Sequence, residues 1–216
     1  MGSTKTTPIS APLVAALEVM WAGIVKRHPD VPAAVIVVAS GTDGHKVSEA
    51  RWGHFAALRW VQGDASLPEV LVAGEGLALG AEHVLETLLH EAGHGLADVR
   101  KIVDTSRQGR YHNRRFQALA EELGLAVKSD GNYGWSLTSL TDATRLQYQH
   151  ALTRLDLALT LYRRAERPSD TGRSTSSNLL VCTCACPRKI RVAAGTLAAG
   201  PITCGICTQE FAGPDE

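Results

Sequence analysis

The spacing of apolar residues predicts amphipathic helices alternating with short buried strands in the first half of the chain. Apolar side chains recur at helical spacing over residues 12–27, which predicts a helix. Residues 33–39 form a run rich in valine and isoleucine, with the length of a buried strand. Further strands are predicted at 55–61 and 69–72, with a glycine-containing turn between them. These elements predict a helix followed by a small sheet.

The second half of the pattern is dominated by helices. A long helix with a wide apolar face is predicted over about 81–101, and a second helix over about 113–123. Glycine, asparagine and aromatic residues at 126–140 indicate a loop or short strands. A third long helix is predicted over about 142–164, beginning at a capping Thr141 or Asp142. The chain is therefore expected to form an α+β domain, with helices packed on a small sheet.

A change in composition predicts how the chain is divided. Residues 1–11 are expected to be a flexible N-terminus, and residues 12–166 the main domain. Serine, threonine, proline and glycine dominate residues 167–178, which predicts a linker. Residues 179–216 form a short module that contains all five cysteines. We expect a metal to supply much of the folding energy of so small a module.

Bulk composition narrows the class of protein. Hydrophobic residues make up 44% and charged residues 20%, as in ordinary globular proteins. Lysine and arginine (22) balance aspartate and glutamate (22), so the net charge gives no reason to expect a nucleic-acid partner. No segment approaches the roughly 20 apolar residues that span a bilayer, so no membrane partner is expected. The clustered cysteines indicate a metal site in a reducing compartment, which predicts a cytoplasmic protein.

The strongest chemical signal lies within the predicted helix at 81–101. His90 and His94 are four residues apart, so both imidazoles lie on one helix face and can bind one metal ion. Glu91 follows the first histidine, where a carboxylate can activate water beside the metal. This HExxH pattern predicts a catalytic zinc site, with accidental spacing on a solvated helix as the alternative.

A catalytic zinc ion takes three protein ligands, so one more must come from elsewhere. The extended motif that places a glycine and a third histidine on the same helix is absent, because Ala97 and Arg100 occupy those positions. Asp98 lies about 12 Å along the helix axis from His90, too far to share its ion. His112, which opens the next predicted helix, remains the candidate. The alternative is that His112 only caps that helix.

The five cysteines have the spacing of a zinc ribbon. Cys204 and Cys207 form a C-x-x-C knuckle about 20 residues after the first group. A tetrahedral site would take two of the first three, Cys182, Cys184 and Cys186, and the sequence leaves that choice open. Reactive or disulfide-forming thiols are the alternative. We therefore expect two zinc ions, one catalytic and one structural.

Residues 88–125, LLHEAGHGLADVRKIVDTSRQGRYHNRRFQALAEELGL, resemble the SprT-like metallopeptidase domain. That family pairs HExxH with a downstream histidine, an aromatic residue and a helix ending in leucine-glycine, matched here by His112, Phe116, Leu123 and Gly124. Asn113 replaces the usual glycine, and the interval before His112 is longer than the family pattern. The resemblance is strong only in these helices and in the C-terminal cysteines.

The resemblance implies a zincin-like minimal metallopeptidase core followed by a zinc ribbon. In some SprT-like proteins the first knuckle of this ribbon is C-x-C. It implies that His90, His94 and His112 bind catalytic zinc and that Glu91 is the base. It also implies a protein substrate, because the related Spartan group degrades proteins crosslinked to DNA.

Two groups of arginines are candidate nucleic-acid contacts, although solvated surface is the commoner meaning of such clusters. They are Arg107, Arg110, Arg114 and Arg115 near the predicted active site, and Arg188 and Arg191 in the cysteine module. The competing function is a non-catalytic nucleic-acid-binding or scaffold protein with structural zinc sites. The carboxylate of Glu91 favours the enzyme, because a purely structural site does not need it.

Overall fold

The structure, a computed structural model, describes residues 8–42, 51–165 and 179–213. The chain divides into two compact units, residues 1–168 and residues 169–216. Residues 1–7 of the expected flexible N-terminus and all of the expected linker at 167–178 lie outside the described residues. The described part combines helices with small sheets and carries a cysteine cluster near its C-terminus.

Helices and small sheets make up the described part of the first unit. Its described α-helices are α1 (Ala11–Arg27), α2 (Ala81–Val99), α3 (Arg114–Glu122) and α4 (Asp142–Ala158). A short 3-10 helix at Gly76–Leu79 leads into α2. The predictions of α1, α2 and α3 are confirmed to within about two residues at each end, the usual uncertainty of helix boundaries. Helix α1 packs against both α2 and α4 through its apolar stripe.

Two small sheets complete the first unit. The first sheet has the order β1-β3-β2, formed by Val35–Ala39 (β1), Gly53–Gln62 (β2) and Ala65–Ala73 (β3). Strands β1 and β3 are parallel, whereas β2 and β3 are antiparallel. The second sheet has the order β4-β5-β7-β6, formed by Thr105–Ser106 (β4), Tyr111–His112 (β5), Leu125–Asp130 (β6) and Gly134–Leu140 (β7). Its longest pairing, β6 with β7, resolves the predicted choice at 126–140 in favour of strands.

Helix α2 is the central element of the core. It contacts the other three helices and strands of both sheets. Five of its apolar side chains have no exposed surface, namely Leu85, Leu88, Leu89, Ala92 and Leu96. Each buried leucine contributes roughly 2 kcal/mol of transfer free energy, so the helix is held firmly between the sheets and its neighbours. The backbone that carries the histidines of α2 is therefore held in place by core packing.

The prediction for the last long helix is wrong at its C-terminal end. Helix α4 begins after the capping Thr141, as expected, but ends at Ala158 instead of about Arg164. Beyond the helix, the backbone N–H of Arg163 donates to the carbonyl of Gly74. Its guanidinium lies 2.7 Å from the buried carboxylate of Glu75. These tertiary contacts hold the segment in a non-helical path that helical periodicity does not indicate.

The second unit is built around a hairpin. Strands β8 (Leu179–Thr183) and β9 (Lys189–Ala193) pair antiparallel, and the short helix α5 (Ala194–Ala198) follows. The buried residues of this unit are Cys182, Cys184, Cys204 and Phe211. Over the described residues of both units, no helix is long and apolar enough to cross a membrane.

Candidate metal centres

Three imidazoles of the first unit converge on one point. His90 and His94 project from the same face of α2, and His112 approaches them from β5. The Nε2 atom of His112 lies 3.3 Å from Nε2 of His90 and 3.2 Å from Nε2 of His94. The ligand atoms of all three histidines lie within 4.8 Å of one another. The structure therefore brings together the three histidines that the sequence singled out.

Short strand pairings bring His112 to this point. His112 is opposite Thr105 in the β4–β5 pair and opposite Gly134 in the β5–β7 pair. Its backbone N–H donates to the carbonyl of Tyr133 over 2.9 Å. Gly134 has a φ of +72°, and a Cβ there would collide with the carbonyl of His112. The third histidine is thus positioned by the second sheet and by a glycine that allows close approach.

Asn113 has a structural role beside the third histidine. Its Oδ1 accepts hydrogen bonds from the backbone N–H groups of Arg115 and Phe116, so it caps α3. Its Nδ2 donates to the carbonyl of Val103, and its backbone N–H donates to the carbonyl of Asp104. His112 is therefore not the cap of α3, and the alternative role considered for it is excluded. Asn113 also fixes the loop that precedes β4.

Phe116 forms an apolar floor under the three imidazoles. It is fully buried, and its ring centroid lies 4.7 Å from those of His90 and His94 and 4.5 Å from that of His112. A Cβ on Gly93 would lie 3.2 Å from the Phe116 ring, so the glycine lets α3 approach α2 closely. Apolar contact on this side restricts the rotamers of the three ligands.

The donor set fits a tetrahedral metal ion. Burial lowers the pKa of His112 to about 4, and burial also holds the pKa of His90 well below its ordinary value. Both rings are therefore neutral near pH 7 and offer lone pairs. Zinc–nitrogen bonds of 2.0–2.1 Å at tetrahedral angles would separate two ligand nitrogens by roughly 3.3 Å. The observed Nε2 separations match that spacing, so this group could hold a metal ion.

Glu91 lies next to this group as a buried carboxyl. It is only 5% exposed, and burial raises its pKa to about 7 against the opposing influence of His94 and a hydrogen bond from the Phe55 backbone. A Cβ on Gly53, at the start of β2, would lie 2.6 Å from Glu91 Oε1. Gly53 is therefore part of the site, and no turn or motif in the sequence identified it.

Polar side chains contact the outer nitrogens of two of the histidines. Asp104 Oδ2 lies 2.6 Å from His94 Nδ1, and Thr138 Oγ1 lies 3.5 Å from His90 Nδ1. Thr138 also donates to Glu86 Oε1 over 2.9 Å. Burial lowers the pKa of His94, but the bond to Asp104 and the nearby Glu91 raise it overall. Sequence reasoning missed Asp104, Thr138 and Glu86, because they come from three separate elements and share no motif.

The second candidate centre is a group of four cysteines. Their sulfurs lie within 4.8 Å of one another, and the members are Cys184, Cys186, Cys204 and Cys207. Cys186 Sγ is 3.3 Å from Cys184 Sγ and 3.7 Å from Cys204 Sγ, close to the roughly 3.8 Å expected for tetrahedral zinc–sulfur bonds of 2.3 Å. Backbone N–H groups of Cys207 and Ile206 lower the pKa of Cys204 to about 6, which favours the thiolate that metals bind. This group could also hold a metal ion.

Cys182 does not belong to the four-sulfur group. It is fully buried in the small core of the second unit, and its sulfur lies 4.0 Å from the carbonyl of Leu180. The sequence left open which two of the first three cysteines join Cys204 and Cys207, and the structure selects Cys184 and Cys186. Spacing could not decide it, because Cys182, Cys184 and Cys186 are two residues apart in turn and would all lie on the same face of a strand.

The candidate nucleic-acid contacts lie in three settings. Arg107 and Arg110 are exposed on the β4–β5 turn, where they line a cavity of about 430 Å³ together with Tyr133. The guanidinium of Arg107 stacks over Tyr111 at 4.9 Å, and Arg114 on α3 lies 5.5 Å from the Trp135 ring. Arg115 on α3 and Arg191 on β9 are exposed, and Arg188 Nη1 lies 3.6 Å from Cys204 Sγ. The four arginines between residues 107 and 115 lie close to His112 in the chain, while Arg188 contacts the cysteine group.

Comparison with known proteins gives no relative for this chain. No protein-family model, no curated protein and no solved structure matches it.

Proposed function

We propose that this protein is a zinc-dependent endopeptidase of SprT-like type, with a zincin-like core. The observation that carries the proposal is the convergence of three imidazole nitrogens beside a buried carboxyl. His90, His94 and His112 would hold the ion, and three protein ligands leave a tetrahedral zinc one open position. Glu91 is adjacent to His90 in sequence and is buried in the same site. A purely structural metal site has no use for that carboxyl.

Zinc held by these histidines would lower the pKa of water and polarise a substrate carbonyl. Glu91 would take a proton from the attacking water as the water oxygen bonds to the peptide carbonyl carbon. Glu91 would then return that proton to the amide nitrogen as the carbon–nitrogen bond breaks. A buried carboxyl at this position suits both steps, because it can accept a proton from water and release it to the amide nitrogen.

Strand β2 supports a peptide as the substrate. Among the described strands, β2 pairs with β3 alone and lies at the edge of its sheet. Its first residue, Gly53, lies against Glu91, and the backbone of Phe55 donates a hydrogen bond to the same carboxyl. An edge strand can bind an extended peptide through backbone hydrogen bonds. Such a peptide would run beside Glu91.

We further propose that the substrates are DNA-associated or DNA-crosslinked proteins. The support is the SprT-like resemblance together with four exposed arginines in the region of His112, namely Arg107, Arg110, Arg114 and Arg115. Arginine beside an exposed aromatic ring suits single-stranded nucleic acid, which stacks its bases on such surfaces. Tyr133, which is 55% exposed, provides such a ring beside Arg107 and Arg110.

Cleavage of a DNA-binding protein, with and without single-stranded DNA, tests this function. The variants are Glu91→Gln and, as a matched control on the same helix, Glu82→Gln, whose side chain is 58% exposed. We expect the native chain and the control to cut, and Glu91→Gln to lose activity by about 100-fold or more while still binding zinc. If the native chain holds zinc in both sites and cuts nothing, the protein is a non-catalytic binding protein with structural zinc.

A further inference from the structure

We propose that Asp104, assisted by the Thr138–Glu86 pair, positions the metal-binding imidazoles and thereby sets the zinc affinity of the histidine site. The proposal rests on the proposed function only in taking that site to bind zinc. It concerns the Nδ1 atoms of His94 and His90, which face away from the point where the three Nε2 atoms converge. The hydrogen bond made by the outer nitrogen of an imidazole decides which tautomer is present and where the inner lone pair points.

Asp104 makes the shorter of the two contacts. Its Oδ2 lies 2.6 Å from Nδ1 of His94, and its side chain is only 14% exposed. A carboxylate can only accept here, so Nδ1 of His94 carries the proton and Nε2 keeps its lone pair towards the site. Asp104 is therefore a positioning residue that acts through His94.

The backbone around Asp104 is fixed on both sides. The carbonyl of Asp104 accepts a hydrogen bond from the N–H of Asn113 over 2.9 Å. Two residues earlier, the N–H of Ile102 donates to the carbonyl of Ala97 near the end of α2, over 2.8 Å. Asn113 follows the third ligand, His112, directly. The loop that carries Asp104 is thus tied both to the helix that bears His94 and to the residue after His112.

Thr138 makes a weaker version of the same contact on the other side of the site. Its hydroxyl lies 2.9 Å from Glu86 Oε1 and 3.5 Å from His90 Nδ1. Because the hydroxyl donates its only proton to the carboxylate, its oxygen is free to accept the proton on Nδ1 of His90. Glu86 precedes His90 by four residues on α2, so the side chains of Glu86 and His90 lie on the same helix face. Because Thr138 lies farther from His90 than Asp104 lies from His94, we expect Thr138 to contribute less than Asp104 to the zinc affinity of the site.

The third ligand differs from the other two. Nδ1 of His112 is buried and has no hydrogen-bond partner among the described residues. The ring is held instead by the β5 backbone, whose N–H donates to Tyr133, and by contact with Phe116. Replacing an outer hydrogen-bond partner should therefore affect His94 most, His90 less and His112 not at all.

The experiment measures the zinc dissociation constant of the histidine site in the full-length chain, by competition with a chelating dye. A chain carrying both His94→Ala and His112→Ala reports the zinc held by the cysteine site alone, and this contribution is subtracted. Asp104→Asn is compared with Asp98→Asn, the same change at a carboxylate 44% exposed near the end of α2. Thr138→Val, a near-isosteric change, tests the second contact separately.

We expect Asp104→Asn to weaken zinc binding at the histidine site by about 10- to 100-fold. Thr138→Val should weaken it by a smaller factor, and Asp98→Asn should leave it unchanged. The zinc affinity of the cysteine site in each variant should match that of the native chain, and the metal-free form of each variant should still unfold in one cooperative transition. That pattern separates ligand positioning from a general loss of folding.

Two results have distinct meanings. If the native chain binds two zinc ions and both Asp104→Asn and Thr138→Val bind zinc at the histidine site as tightly as the native chain, the positioning role is overturned and the peptidase proposal stands. If the native chain binds only the zinc held by the cysteines, the proposed function itself fails, together with this inference.

Discussion

The buried carboxyl of Glu91 should make the metal-free protein less stable as the pH rises. In the folded chain burial raises its pKa to about 7, compared with an ordinary value of 4.5. Between these two values the folded state binds more protons at this position than the unfolded state does. The free energy of unfolding therefore falls as the pH rises through this window, and the loss is complete above pH 7. Replacement by glutamine removes the titration while keeping the size of the side chain.

The magnitude follows from the shift in pKa. Each unit corresponds to about 1.4 kcal/mol of differential stabilisation, so a shift from 4.5 to about 7 corresponds to roughly 3 kcal/mol. Glu91 is 5% exposed, so screening by solvent reduces this value little. As the pH rises from 4 to 8, we expect the free energy of unfolding of Glu91→Gln to increase by roughly 3 kcal/mol relative to that of the native chain. Near pH 4 the neutral acid and the amide should be equivalent.

Urea unfolding of the full-length, metal-free chains at several pH values measures this difference. The contribution of the cysteine module is common to both chains and cancels in the comparison. Glu82→Gln, at an exposed position of the same helix, is the reference for replacing glutamate by glutamine. A stability difference between Glu91→Gln and the native chain that stays constant from pH 4 to pH 8 would refute the reasoning, because Glu91 would then not be buried as a titrating carboxyl.

Two further substitutions, each paired with a control, test the two centres. Gly53→Ala would place a Cβ 2.6 Å from Glu91 Oε1, so we expect a loss of about 1–3 kcal/mol in urea unfolding and reduced peptide cleavage. Gly131→Ala meets no atom within 4 Å and should be nearly neutral, and equal effects at both glycines would contradict the geometry. Cys204→Ala should lose about one equivalent of bound zinc by elemental analysis, whereas Cys182→Ala should retain it. Zinc loss in Cys182→Ala would mean that the sulfur group is composed differently.

Several elements could be predicted from the sequence because their signals are local. Helical periodicity marked α1, α2 and α3 to within about two residues, and a short apolar run marked β1. The spacing of His90 and His94 predicted that both lie on one helix face, because a helix repeats every 3.6 residues. The hydroxyl at Thr141 was one of two predicted starts for α4. None of these predictions depends on a distant part of the chain.

Other features were decided by tertiary contacts. Helix α4 ends at Ala158 because the chain beyond it makes long-range contacts through Arg163, which no periodicity reveals. Which cysteines form the four-sulfur group depends on where β8 ends, because Cys182 lies within β8 whereas Cys184 and Cys186 follow it and meet Cys204 and Cys207. In both cases the local pattern allowed two outcomes, and packing selected one of them.

The candidate active site divides in the same way. The sequence by itself determined the helix, its two histidines and the carboxyl of Glu91, because these residues lie within one turn and a half of each other. Only the tertiary structure decided which groups surround them. Asp104 arrives from a loop, Thr138 from β7 and Gly53 from β2, so each reaches the site from outside α2. Residues that meet only in the folded chain leave no periodic or spacing signal, and for that reason the partners of the histidines could not be predicted.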